Sequence, residues 1–263
     1  MERLDAELVR RGLVPSRSRG AAVVLAGQVL VDGRPARKPG ERVAPTAAVV
    51  LRAPDHPYVG RGGQKLEAAL DRFAVSPDGH SCLDVGASTG GFTDCLLHRG
   101  ARRVVAVDVG YGQLAWRLRT DPRVVVRERV NARHLTAEHV PEPVDLVVCD
   151  VSFISLAKVL PAVGARVRPD GAAICLVKPQ FEAGPADVPP GGVVRDPAVH
   201  RRVLVAFTAA ASDLGWGLCG LMASPLRGAD GNVEFLALLR RGPGAGSGTL
   251  IDAALAEAAE GSG

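Results

Sequence analysis

The sequence predicts an α/β fold: a mostly parallel sheet with helices on both faces, preceded by a small α+β domain at the amino terminus. Three observations carry that expectation. From Ser81 onward, short apolar runs alternate with helical stretches, the rhythm of a parallel sheet with crossover helices. The first of these runs ends in Asp84 and passes through Gly86, Gly90 and Gly91 into a helix. Such a strand–glycine turn–helix unit suits a nucleotide-type ligand, because bare backbone and free helix N–H groups face the turn. Finally, the first 52 residues have a plan of their own and hold ten Lys or Arg against five acids.

In that opening segment Leu4, Leu8, Val9, Leu13 and Val14 recur at helical spacing, and Ser16 and Ser18 can cap a second helix through Leu25. Gly27 ends it; residues 29–31 read as a strand, and Asp32-Gly33 as a tight hairpin turn. The local excess of five positive charges exceeds the net +4 of the whole 263-residue chain. It is the footprint of a nucleic-acid partner, with a plain solvated surface as the alternative. Residues 54–63 are rich in Pro and Gly and mark a junction. Lys65, Leu66, Ala69, Leu70 and Phe73 then share a helix.

The alternation that follows puts strands at 83–85, 103–108, 123–127, 144–150 and 172–177, and later at 216–223 and 232–239. Asp108, Asp150 and Lys178 each stand at the carboxyl end of a buried strand, where site residues gather in such sheets. A helix is expected to start within 109–116, another after Ser155, and a long one over 197–214. Residues 182–196 lack an apolar period and read as a mobile loop beside the site. Beyond residue 242 the sequence reads as a flexible tail with a marginal alanine-rich helix near its end.

Composition narrows the class. Cys82, Cys95, Cys149, Cys175 and Cys219 are scattered without a C-x-x-C pair, which points to reduced thiols in the cytoplasm and to no metal site. The charged start lacks the apolar core of a signal peptide, and no run reaches the length of a membrane span.

The glycine turn admits three ligand types in principle. A dinucleotide fingerprint counted from Gly86 fails at Ser88, and a P-loop fails at Phe92, where its Lys belongs. The remaining form, Asp-x-Gly-x-x-x-Gly-Gly, resembles the first motif of S-adenosylmethionine methyltransferases. The resemblance implies cofactor contacts from Asp84, Gly86, Ala87, Ser88, Gly90, Gly91 and Phe92. Asp108 is expected at the ribose hydroxyls and Asn131 at the adenine edge.

Longer matches run in order along the chain. Residues 10–22 and 26–36 resemble the alpha-L RNA-binding domain, in which Arg17, Arg19, Arg34, Arg37 and Lys38 match phosphate-contacting positions. Arg61-Gly-Gly-Gln-Lys-Leu66, Asp108-Val-Gly-Tyr-Gly-Gln-Leu114, Asp150-Val-Ser-Phe-Ile-Ser155, Leu176-Val-Lys-Pro-Gln-Phe-Glu182, Gly191-Gly-Val-Val-Arg-Asp196 and Gly231-Asn-Val-Glu-Phe235 follow. Together with the glycine turn they resemble the TlyA-type rRNA methyltransferases, also called the haemolysin TlyA family.

The resemblance implies a Rossmann-like class I methyltransferase sheet, FtsJ-like, over 64–242. Before it come an alpha-L domain over 1–55 and a linker over 56–63; after it comes the tail, 243–263. It also implies S-adenosylmethionine as methyl donor, ribosomal RNA in ribosomal subunits as partner, and 2′-O-methylation of cytidine ribose in 16S or 23S RNA or both. The family's Lys-Asp-Lys-Glu tetrad carries over onto Lys65, Asp150, Lys178 and Glu234. Lys178 is the expected base, its amine form favoured by a second nearby ammonium. Lys65 is expected to stabilise the alkoxide, and the two acids to orient the amines. The chain departs from the family at 56–59, where no Arg-Ala-Trp stands, and at Pro185 in place of a basic residue. The other readings are a non-catalytic rRNA-binding or assembly factor and a haemolysin.

Overall fold

The computed structural model describes residues 1–14, 16–51, 56–228 and 230–260. Asp55, the expected end of the first domain, lies outside the described residues. The amino-terminal domain runs β1 (Glu2–Arg3), α1 (Leu4–Arg10), α2 (Arg17–Leu25), β2 (Val29–Val31), β3 (Arg34–Pro35), β4 (Arg42–Val43) and β5 (Val49–Leu51). Leu4 and Leu8 close with Val23, Val24, Val29 and Val49 into one small core. Ser16 caps α2 by accepting the Arg19 amide at 3.2 Å. Asp32 and Gly33 take φ of 48° and 77°, the left-handed pair that a two-residue hairpin between β2 and β3 requires.

After α3 (Gly62–Arg72) the chain builds a seven-stranded sheet. Its strands are β6 (Ser81–Val85), β7 (Arg103–Val107), β8 (Val124–Arg127), β9 (Val144–Cys149), β10 (Val167–Val177), β11 (Trp216–Ala223) and β12 (Phe235–Arg241). Their order across the sheet is β11-β12-β10-β9-β6-β7-β8, with β6 to β10 parallel and β12 antiparallel to both β10 and β11. The connections carry α4 (Gly91–His98), α5 (Trp116–Arg119), α6 (Leu160–Gly164), α7 (Pro179–Glu182) and α8 (Pro197–Asp213), and α9 (Ser247–Glu260) follows β12.

Both faces of this sheet are covered, so its strands read as unbroken apolar runs instead of alternating ones. In β6, Leu83 and Val85 join the core shared with Phe207 of α8 and Ile251 of α9. Cys82 joins the opposite core, with Leu66 of α3 and Leu96 of α4. Strand order reverses at β6, which pairs with β7 on one side and β9 on the other. The crevice at their carboxyl ends is therefore the topological switch point, where ligands bind in open α/β sheets.

The structure departs from the sequence reading in four places. The helix expected within 109–116 begins only at Trp116 and lasts four residues. Gly110 and Gly112, the latter at φ 71°, break it. The expected linker, 56–63, is part of the folded unit: Gly62 and Gly63 open α3, and buried Tyr58 donates to Glu67 at 2.6 Å. Residues 182–196 are held as well as looped. The buried Asn232 accepts the Val194 amide at 2.9 Å and donates to the Gly192 carbonyl at 2.9 Å.

The fourth correction concerns the tail. Residues 247–260 form α9, which packs on β11 with Ile251 and Ala254 buried; a free tail would leave that apolar stripe in water. The last three residues of the chain lie outside the described residues.

Candidate active site

The glycine turn is built on strain that only its sequence tolerates. Gly86 has φ 86°, and a Cβ there would collide with the Asp150 carbonyl, so β6 and β9 approach backbone to backbone at the switch point. Gly90 has φ 100° and packs beneath Leu114 and Leu118, where a side chain has no room. Asp84 is fully buried and accepts the Thr93 hydroxyl at 2.6 Å, tying the end of β6 to the first turn of α4. Its other oxygen has no hydrogen-bond partner among the described residues. Burial pushes this carboxyl up to about 7; the Thr93 bond opposes the rise and the Asp150 charge adds to it. With no exposed atom, Asp84 braces the turn and offers no surface to a ligand. Phe92 is likewise core, and Gly91 lies against Gly60 and Gly63 of the junction.

Beside the turn is a shallow cleft walled by Ala87, Ser88, Asp108, Gln113, Leu114 and Val126. The Asp108 carboxylate accepts the amides of Ser88 and Gly110, each at 2.7 Å, and so joins the ends of β6 and β7. Each carboxylate oxygen keeps a second lone pair for a ligand hydroxyl. Apolar walls on one side and a carboxylate at the end of the second parallel strand are the lining that a hydroxyl-bearing ligand uses at such a switch point. Glu128 also lines this cleft, accepts the Gly112 amide at 2.8 Å and pairs with Arg119. Asn131 is exposed, caps a single 3₁₀ turn by accepting the Arg133 amide at 3.1 Å, and is not among the cleft-lining residues.

The four tetrad residues come together as two ion pairs. Lys65, on α3, pairs with Glu234, and both are buried, at 8% and 3% exposure. Lys178 lies 2.5 Å from Asp150 Oδ1 and donates to Ser152 Oγ at 3.0 Å. Sheet register explains why two pairs from four distant segments share one end of the fold. Val177 of β10 opposes Phe235 of β12, so Lys178 and Glu234 continue the ladder by one position at its end. Asp150 follows Cys149 of β9, whose partner Cys175 is in β10, and its amide donates to the Val85 carbonyl at 2.9 Å. The glycine turn and both ion pairs thus meet along the carboxyl edge of β6, β9 and β10. One buried and one half-buried lysine–carboxylate pair in this crevice can orient a hydroxyl, and a lysine in its amine form can take up that hydroxyl's proton.

Sequence reasoning missed the side chains that hold these groups: Thr93 on Asp84, Ser152 on Lys178, Gln113 and Glu128 at the cleft. Each is polar and unremarkable locally, and its partner is many residues away. In the amino-terminal domain Arg17, Arg19, Arg34, Arg37 and Lys38 are all exposed. Arg34, Arg37 and Lys38 line one open groove with Arg3, a position not anticipated; Arg17 and Arg19 are not part of that lining. Arg3 and Arg17 both pair with the buried Asp5, at 2.7 and 3.6 Å, which anchors α1 and α2 beneath the groove. Among the described residues no helix is long and apolar enough to cross a membrane, and no cluster of His, Cys, Asp and Glu has metal-holding geometry.

Comparison with known proteins bears on this geometry. Residues 58–241 match the FtsJ-like methyltransferase family and residues 2–49 match the S4 domain. The chain is 55% identical over 239 residues to the 16S/23S rRNA (cytidine-2′-O)-methyltransferase TlyA of Mycobacterium tuberculosis, covering 90% of this chain and 89% of that one. The chain belongs to the TlyA-type methyltransferase family. Another of its relatives is Hemolysin A of Brachyspira hyodysenteriae, 39% identical over 89% of this chain and 98% of that protein. A solved structure from Streptococcus thermophilus, described as a candidate hemolysin, has a TM-score of 0.79 at 40% identity, covering 99% of this chain and 96% of that one. TlyA-type architecture, an S4 domain ahead of an FtsJ-like sheet, therefore extends over both domains described above. The S4 match ends at residue 49, and the FtsJ-like match begins at 58, inside the segment expected to be a linker.

Proposed function

We propose that the protein methylates the 2′-hydroxyl of a cytidine ribose in ribosomal RNA, using S-adenosylmethionine. The observation that carries this reading is the pair of ion pairs, Lys65–Glu234 and Lys178–Asp150, at the strand ends beside the glycine turn. The names of the TlyA-type relatives support the substrate class.

Ala87, Ser88, Asp108 and Leu114 hold the nucleoside part of the donor, Asp108 through its ribose hydroxyls and Leu114 against its ring. When bound, S-adenosylmethionine supplies an electrophilic methyl group. A ribose hydroxyl is a weak nucleophile and must lose its proton as the new bond forms. Lys178, in its amine form, accepts that proton, and the ammonium so made is met by the Asp150 carboxylate, 2.5 Å away. Ser152 fixes the rotation of the Lys178 side chain through its 3.0 Å hydrogen bond. Lys65 faces the developing oxygen charge, and Glu234 holds it in place. Arg34, Arg37 and Lys38, with Arg3, grip phosphates and bring the RNA to the site without reading its sequence.

The test is methyl transfer from labelled S-adenosylmethionine to ribosomal subunits, followed by mapping of 2′-O-methyl positions. Wild type should label a cytidine, and Lys178→Ala should lose about a hundred-fold or more in rate with an unchanged melting temperature. Equal rates in the two would remove Lys178 as the base. RNA binding without transfer by either would favour a non-catalytic assembly factor, and liposome leakage independent of the methyl donor would favour a haemolysin.

A further inference from the structure

Glu182 closes the stretch that runs from Leu176 through Lys178, and methyl transfer by Lys178 and Lys65 leaves it without a role. A single helical turn joins the two: the Phe181 and Glu182 amides donate to the Lys178 carbonyl at 2.9 and 3.2 Å. Whatever fixes Glu182 therefore fixes the backbone that carries Lys178. Glu182 reaches across to the segment after Asp150. It accepts the Ser155 hydroxyl at 2.6 Å on one carboxylate oxygen and the Leu156 amide at 2.7 Å on the other. The Phe181 and Phe153 rings, one from each segment, pack with centroids 4.9 Å apart, and Lys178 Nζ lies 5.8 Å from the Phe181 ring.

The segment being held needs an outside constraint. Phe153 has φ 63°, a left-handed conformation that costs a non-glycine residue energy, and the residue is 89% exposed. Its ring touches Phe181, which belongs to the same turn as Glu182, and both hydrogen bonds to Glu182 arrive just beyond it. The ionised carboxylate is not a simple aid to folding. Burial raises its pKa from the ordinary glutamate value even though both hydrogen bonds oppose the rise.

We infer that Glu182 is a positioning residue: its carboxylate clamps residues 152–156 to the Lys178 turn and so sets the geometry of the Lys178–Asp150 pair. The inference rests on the reading of Lys178 as the base. It assigns Ser155 and the Leu156 amide as the two points of grip, with the Phe153–Phe181 ring contact as a third link between the same two segments.

The test uses the full chain with Glu182→Gln, which keeps the shape but offers one acceptor oxygen where the clamp needs two, and Ser155→Ala, which removes the other partner. Three quantities are read: single-turnover methyl transfer to ribosomal subunits, affinity for S-adenosylhomocysteine, and amide hydrogen exchange across 150–156. Glu182→Gln should slow transfer about ten- to a hundred-fold, leave S-adenosylhomocysteine affinity and melting temperature unchanged, and speed exchange in 150–156 alone. The double variant should be no slower than the worse single one.

Transfer at the wild-type rate would overturn the inference, and so would a fall in melting temperature with exchange rising across the whole sheet. If the wild-type protein transfers no methyl group but Glu182→Gln still speeds exchange in 150–156 alone, the clamp stands and the methylation reading has failed.

Discussion

Asp84 shows how one residue can be read correctly in place and differently in role. Its position at the end of a buried strand, before a glycine turn, is legible from the apolar run that precedes it. The sequence reading made it a cofactor contact, whereas the fold encloses it completely and gives it Thr93. Because its carboxyl is raised from the ordinary 3.8 to about 7, the folded state keeps a proton between those values that the unfolded chain releases. Folding stability from this group is thus fully present below about 4 and is lost as pH climbs through about 7, on the order of 4 kcal/mol in all. Asp84→Asn should flatten the dependence of melting temperature on pH between 4 and 7 in scanning calorimetry. An unchanged slope would show that the proton resides elsewhere. At the same scale, Thr93, Ser152 and Glu182 escaped notice because a hydroxyl or an acid becomes informative only once its distant partner is known.

At the scale of elements, local pattern was a good guide wherever an element is defined by its own sequence. The strands at β6, β7, β9 and β10 were legible because continuous apolar runs need burial on both faces. The Ser16 cap and the Asp32-Gly33 turn were legible because each satisfies a backbone demand within a few residues. Helix α9 was not. Its apolar positions recur at helical spacing, but the surface of β11 that receives them is not visible in the tail itself. The structure buries Ile251 and Ala254 there, and Glu257 joins Arg72 of α3 to the Ala223 amide of β11 at 2.9 and 3.2 Å. Ile251→Ala should cost about 2–4 kcal/mol in urea unfolding, with no new exposure in α1 or α2 by hydrogen exchange. A change below half a kcal/mol would mean that α9 contributes little to holding β11.

At the scale of the whole molecule, charge and chemistry are divided between the two domains. The two lysine–carboxylate pairs sit at the switch point, Lys65–Glu234 buried and Lys178–Asp150 half-buried, while Arg3, Arg34, Arg37 and Lys38 line an open groove in the S4 domain. Buried and half-buried pairs are screened less by salt than exposed charges are, whereas exposed phosphate contacts release counterions and are strongly affected. Arg34→Glu with Arg37→Glu should therefore weaken binding to ribosomal subunits and lower the salt dependence of log affinity by about one unit per lost contact. Affinity for S-adenosylhomocysteine should stay unchanged. Equal salt slopes in variant and wild type would place RNA recognition outside this groove.

By itself the sequence determined the α/β order, the glycine turn, the charged strand ends and the basic leading domain. These follow from periodicity, backbone demands and local charge, all of which act over a few residues. Only the tertiary structure decided which charged groups pair and what stands behind them. Lys65 and Glu234 meet through the packing of α3 against the end of β12, and Glu182 reaches Ser155 across two strand ends. It also decided that the tail is a packed helix and that Asp84 is a brace. Pairing and burial depend on sheet order, which brings together segments that are far apart along the chain.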